Sequence, residues 1–114
     1  MRDRVYSFMG LAMKAGKLVS GGETCEKAVK RGNVFLLIVS EDASNNTVKK
    51  FGDACKRREI PFYQFGEKEA IGRLLGKKIR SVVAVTDIQL ARNLKRLIDE
   101  QKSCTNKHGG ELIE

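Results

Sequence analysis

Val34-Phe35-Leu36-Leu37-Ile38-Val39 is an unbroken run of aliphatic, β-branched and aromatic residues between Gly32-Asn33 and Ser40-Glu41-Asp42. A strand with one wet face alternates apolar and polar residues. A continuous run of this length predicts a strand covered on both faces, at the centre of a sheet. Such a strand needs helices above and below it, and the rest of the chain has to supply them.

The flanking sequence does so. Val5, Phe8, Met9, Leu11, Ala12 and Ala15 recur at helical spacing and predict a helix over about residues 4–15, stopped by Gly16. Lys17 to Ser20 reads as a short extended piece, and Ser20-x-x-Glu23 matches a capping box opening a second helix that closes at Gly32. After the polar turn Glu41 to Asn46, which offers several N-caps, Val48, Phe51, Ala54 and Cys55 mark a third helix to about Arg58. Pro61 to Phe65 is a short strand, Lys68 to Leu75 a short helix ending at Gly76, and Ser81 to Val85 a further strand. Asp87 caps a last helix with Leu90, Leu94, Leu97 and Ile98 as its buried stripe. Helices alternating with short apolar strands predict an α/β fold with helices on both faces of one sheet. Residues 1–100 read as a single domain and 101–114, where periodicity is lost, as a frayed tail.

The hydrophobic fraction of 41% excludes a disordered chain, and the longest apolar run is too short to cross a bilayer. Met1-Arg2-Asp3-Arg4 leads into an amphipathic pattern instead of a signal-peptide core. Cys25, Cys55 and Cys104 are odd in number and widely spaced, which suits a reducing compartment, and the first two read as small core residues. A cytoplasmic protein without membrane association is expected. Charge is unevenly placed: residues 1–98 hold 20 of the 22 Lys and Arg but 10 of the 14 Asp and Glu. That part is therefore more basic than the total of +8, and such a field favours polyanionic partners.

No catalytic constellation stands out. His108, the only histidine, sits in the tail beside two glycines, and Cys104-x-x-x-His108 supplies at most two metal ligands where a site needs three or four. Gly21-Gly22 lacks the spacing of a dinucleotide fingerprint and is not followed by the Lys-Ser or Lys-Thr of a P-loop. Glu41-Asp42 reads as turn and capping chemistry. These features predict a non-enzymatic protein with no cofactor and no metal.

The cations are more informative. With Cys25, Ala28 and Val29 turned inward on the second helix, Lys27, Lys30 and Arg31 share an outer arc beyond the glycine pair. The ordinary alternative is a solvated face with one Glu23–Lys27 ion pair worth about 0.3 kcal/mol. A second group, Lys77, Lys78 and Arg80 with Ile79 among them, falls in a loop before a strand. There an exposed Ile can press on an unstacked base while its neighbours meet phosphates, or the loop can simply be solvated. Lys49, Lys50, Lys56, Arg57 and Arg58 read as the solvated face of the third helix.

Five segments in one order carry a resemblance: Gly21 to Gly32, the apolar strand ending in Glu41-Asp42-Ala43, Ile60-Pro61-Phe62, Ile71 to Gly76, and Val82 to Asp87. Together, over residues 4 to about 98, they resemble the L7Ae/L30e ribosomal protein family, and within it the short bacterial ribosomal-protein-like branch. The resemblance implies a three-layer α-β-α sandwich on a small mixed four-stranded sheet. It also implies a monomer that binds structured RNA, ribosomal or regulatory, in a ribosome or other ribonucleoprotein. The RNA implied is a kink-turn, a sharply bent duplex with tandem sheared G·A pairs.

Carried over by position, Gly21, Gly22, Glu23, Thr24, Lys27 and Arg31 form the surface that enters the widened groove, with Lys30 on the same helix. Lys77, Lys78, Ile79 and Arg80 cover the flipped-out nucleotide. Val48, and more weakly Ser44, correspond to positions beside that base. The family commonly has Asn-Glu where this chain has Glu23-Thr24, and its archaeal members have one more residue in the loop before Val82. A Thr hydroxyl does not present paired carboxylate oxygens to a guanine edge, which implies weaker kink-turn recognition. Two other classes fit the same scaffold: a protein-interaction adaptor using the sheet edge or last helix, and a small-anion pocket at the start of the second helix.

Overall fold

The computed structural model describes the backbone of residues 2–110 and the side chains of residues 3–101. In chain order its elements are α1 (Arg2–Lys14), β1 (Leu18–Ser20), α2 (Gly22–Arg31), β2 (Leu36–Val39), α3 (Asn45–Arg58), β3 (Phe62–Gln64), α4 (Lys68–Leu74), β4 (Val82–Val85) and α5 (Ile88–Gly110). The strands form one sheet in the order β1-β4-β2-β3. β4 pairs antiparallel with both β1 and β2, and β2 pairs parallel with β3, so the sheet is mixed.

β2 and β4 are buried along their whole length, as their continuous apolar sequences require. The period of two sorts their side chains between two cores. Leu36, Ile38, Val83 and Val85 pack on one face against Met9 of α1, Ile71 of α4, and Leu94 and Ile98 of α5. Leu37, Val39, Val82 and Ala84 pack on the other against Cys25 and Val29 of α2 and Phe51 and Cys55 of α3. Each fully buried Leu, Ile or Val contributes about 1.5–3 kcal/mol. The result is the expected three-layer sandwich, with Cys25 and Cys55 as core residues.

The structure departs from the sequence reading in three places. β2 starts at Leu36, not Val34; the Phe35 N–H still donates to Val85 O at 2.9 Å, but its ring is 38% exposed because α2 has already ended. The capping box of Ser20 and Glu23 does not form, since α2 is capped by Gly21 without any side-chain hydrogen bond. α5 continues as helix to Gly110, so the loss of periodicity near Gln101 does not mark its end. The side chains of Cys104 and His108, and residues 111–114, lie outside the described residues. Among the described residues, no helix is long and apolar enough to cross a membrane.

Candidate nucleic-acid interface

The start of α2 is built by two glycines with different duties. Gly21 has φ +99°, a conformation L side chains rarely adopt, and its N–H donates to Val82 O at 3.0 Å, tying the turn to the head of β4. Gly22 has no such backbone requirement, and a Cβ built there meets nothing within 4 Å. The fold therefore does not need a glycine at position 22. Its effect is to leave the helix end bare, where the N–H groups of Gly22, Glu23 and Thr24 have no intrahelical acceptor and the positive end of the dipole faces outward.

Ser20, the residue expected to cap this helix, has another partner. Its Oγ accepts from Arg80 Nε at 3.1 Å, and a Cβ on Gly21 would lie 3.9 Å from the same nitrogen. Arg80 also donates from Nη1 to Ile79 O at 2.8 Å. Arg80 is thus half-buried beside the α2 start. This contact brings the two cationic segments together.

The 77–80 loop is held on its other side by α4. Lys77 N–H donates to Gly72 O at 2.7 Å and Arg80 N–H to Lys68 O at 3.0 Å. At Gly72 a Cβ would come within 2.6 Å of Lys78 O and 2.8 Å of Ile79 Cα, so only a glycine lets the loop lie against the helix. α4 is fixed in turn by Asp42, whose Oδ1 accepts from Lys68 N–H at 3.0 Å. Burial acts to raise the Asp42 carboxyl, but this bond and the Lys68 charge help bring it below its ordinary value. Lys77, Lys78 and Ile79 are left exposed at the rim, Ile79 by 47%.

On α2, Thr24, Lys27 and Arg31 are exposed, and among the described residues no ion pair holds either cation; the Glu23–Lys27 pair is not formed. Lys30 sits differently. Its Nζ is 3.8 Å from Glu26 Oε2, and Glu26 Oε1 lies 2.9 Å from Lys50 of α3. The Lys50 hydrogen bond and charge, with a smaller contribution from Lys30, hold the Glu26 carboxyl below its ordinary range. Lys30 therefore belongs to the α2–α3 seam, where its charge is partly answered. Val48 is half-buried against the core beneath α2, and the Ser44 hydroxyl caps α3 by accepting from Thr47 N–H at 3.2 Å.

Beneath this surface the Cys25 thiol faces Val19 O and Val82 O, each 3.7 Å from Sγ. Burial pushes it up to about 12, against a smaller lowering by Arg80, so it stays protonated and unreactive. Among the described residues no group of His, Cys, Asp and Glu could hold a metal ion. The surface offers cations, free backbone donors and one exposed aliphatic side chain, which suits phosphate and an unstacked base. Sequence reasoning missed Ser20 and Gly72. A glycine inside a helix signals close backbone approach, whereas nothing local points Ser20 toward a residue sixty positions away.

Known proteins share this sequence and architecture. The chain is 38% identical over 94 residues to RNA-binding protein YlxQ of Bacillus subtilis (strain 168), covering 82% of this chain and 94% of that protein. It is 33% identical over 98 residues to RNA-binding protein YlxQ of Enterococcus faecium, covering 86% and 94%. A solved structure of a Bacillus halodurans protein of unknown function superposes with TM-score 0.80 at 41% identity, over 83% of this chain and 96% of that one. The Giardia lamblia 15.5kD RNA binding protein superposes with TM-score 0.71 at 20% identity, over 86% and 84%, a likeness of fold. Residues 3–95 match the family model described as Ribosomal protein L7Ae/L30e/S12e/Gadd45 family, and the chain belongs to that family.

Proposed function

We propose that the protein is a non-enzymatic, monomeric, cytoplasmic RNA-binding protein that recognises kink-turn-like RNA, ribosomal or regulatory. The observation that carries this reading is the Arg80–Ser20 contact, which joins the 77–80 loop to the turn opening α2. The names of the YlxQ relatives support RNA as the ligand.

In this reading the Gly22–Thr24 backbone approaches the widened groove, and Lys27 and Arg31 meet flanking phosphates. Lys77 and Lys78 hold the strand leaving the kink, and Ile79 covers the flipped-out nucleotide with Val48 beneath it. Arg80 orders the loop and adds charge. Lys30 contributes less than its neighbours because Glu26 already answers it. The cations lie on two segments that meet at the Arg80–Ser20 contact instead of along one helix, which supports a bent RNA over a straight duplex.

The test is an amide chemical-shift titration with a kink-turn RNA. Shifts confined to residues 20–31, 44–48 and 77–80 support the assignment, and shifts centred on α5 refute it.

A further inference from the structure

A second surface lies at the other end of α2. Gly32 closes α2 there, Phe35 leads into β2, the turn after α3 runs through Glu59 to Pro61, and α5 begins. Between them is an open groove of about 540 Å³. Ten residues of α2 put it about 15 Å from the glycine turn.

Four large apolar side chains are exposed among the described residues, and two of them, Phe35 at 38% and Ile88 at 47%, line this groove. Its remaining wall is aliphatic, with Ile60 contributing. Arg58, Arg92 and Lys95 form a cationic rim, and Glu59 is the one carboxylate among the lining residues. Lys95 is partly answered by Asp99 at 3.1 Å, while Arg58 and Arg92 have no ion pair among the described residues.

We propose that this groove docks an acidic protein segment carrying one or two bulky apolar side chains. The apolar anchors fill the space between Phe35, Ile60 and Ile88, and flanking Asp or Glu side chains pair with Arg58 and Arg92. Charge complementarity selects the acidic partner, because a basic or neutral segment would leave two guanidinium groups unanswered around an apolar patch. The apolar lining of Phe35, Ile60 and Ile88 favours the apolar side chains of a peptide over the polar edges of RNA bases. The site does not depend on the RNA reading, and its separation of about 15 Å from the glycine turn lets both be occupied together.

The test is selection of a random peptide library of about 16 residues on the folded protein, followed by affinity measurement of the best selected peptide. Sequences with two or more Asp or Glu around Leu, Phe or Trp are expected. Arg92→Glu and, separately, Ile88→Glu should weaken that peptide about tenfold or more, consistent with loss of a charge-assisted contact. Both side chains are exposed, and unchanged melting curves would show that the variants fold. Lys27→Ala should leave peptide affinity unchanged, and a kink-turn RNA should not compete. The proposal is overturned by a library without enrichment, by selected peptides that lack acidic residues, or by affinity that survives Arg92→Glu. It is equally overturned if RNA displaces the peptide or if the groove is filled by a second copy, seen as concentration-dependent dimers that Ile88→Glu abolishes.

Discussion

Arg80 reaches across sixty positions of sequence to place its Nε 3.1 Å from Ser20 Oγ, and this bond fastens the loop before β4 to the turn that opens α2. Each segment alone is an ordinary basic stretch. Joined, they form a surface with unsatisfied backbone donors at its centre and cations on both sides.

The bond itself is testable by a double-mutant cycle. Ser20→Ala removes the acceptor and Arg80→Ala the donor, with a coupling of about 0.5–1.5 kcal/mol expected in RNA binding. Arg80→Ala should be the more harmful, since it removes charge as well as order. Fluorescence anisotropy with labelled RNA measures both, and additive effects would show that the contact does not organise the surface.

Gly22→Ala separates binding from folding. The fold leaves open space at this Cβ and no unusual φ, so alanine should raise stability by about 0.4–1 kcal/mol by restricting the unfolded chain. RNA affinity should nevertheless fall severalfold, because the methyl group stands where a nucleic-acid backbone approaches. Unchanged affinity alongside raised stability would remove Gly22 from the interface.

Gly72→Ala should do the reverse. Its Cβ would meet the Lys78 carbonyl at 2.6 Å, and backbone cannot retreat as a side-chain tip can. Overpacking of this kind costs about 1–3 kcal/mol, to be read from urea unfolding. Stability equal to the parent would mean that the loop is not seated on α4 as described.

Burial of Cys25 makes a pH prediction. Its folded value, about 12, is raised above that of the exposed thiol, so the stability it contributes is complete below pH 9 and is lost as pH rises toward 12. In that window the unfolded chain binds fewer protons, and stability should fall by about 1.4 kcal/mol per pH unit for this thiol. Comparing unfolding of the parent and Cys25→Ala from pH 7 to 10.5 isolates the effect; parallel curves would contradict it.

Much of this was legible beforehand. The Val34–Val39 run identified a doubly covered strand, and the glycines at 16, 32 and 76 marked helix ends, because periodicity and backbone freedom are local properties. Lys27, Arg31, Lys77 and Lys78 were found as exposed cations for the same reason. The sequence did not reveal that Ser20 serves Arg80 instead of α2, that Asp42 caps α4 instead of α3, or that Lys30 is drawn to Glu26 and Lys50. Each of these depends on which segments the sheet order brings side by side, and residue types at one position do not encode that.

The departure at Glu23-Thr24 has its own consequence. Glu23 is an exposed carboxylate within the cationic surface. The double variant Glu23→Asn with Thr24→Glu, which supplies the pair common in the family, should bind kink-turn RNA more tightly than the parent. Weaker binding would indicate that this chain reads a different RNA element.

The central claim, that two basic segments make one surface shaped for bent RNA, is tested most directly by equilibrium binding to a kink-turn RNA and to a straight duplex of equal length in the same salt. The account predicts clear preference for the bent RNA, with log affinity falling by about 0.7–0.9 per phosphate contact per decade of salt. Equal affinity for the two would contradict it, leaving a charged surface without shape recognition.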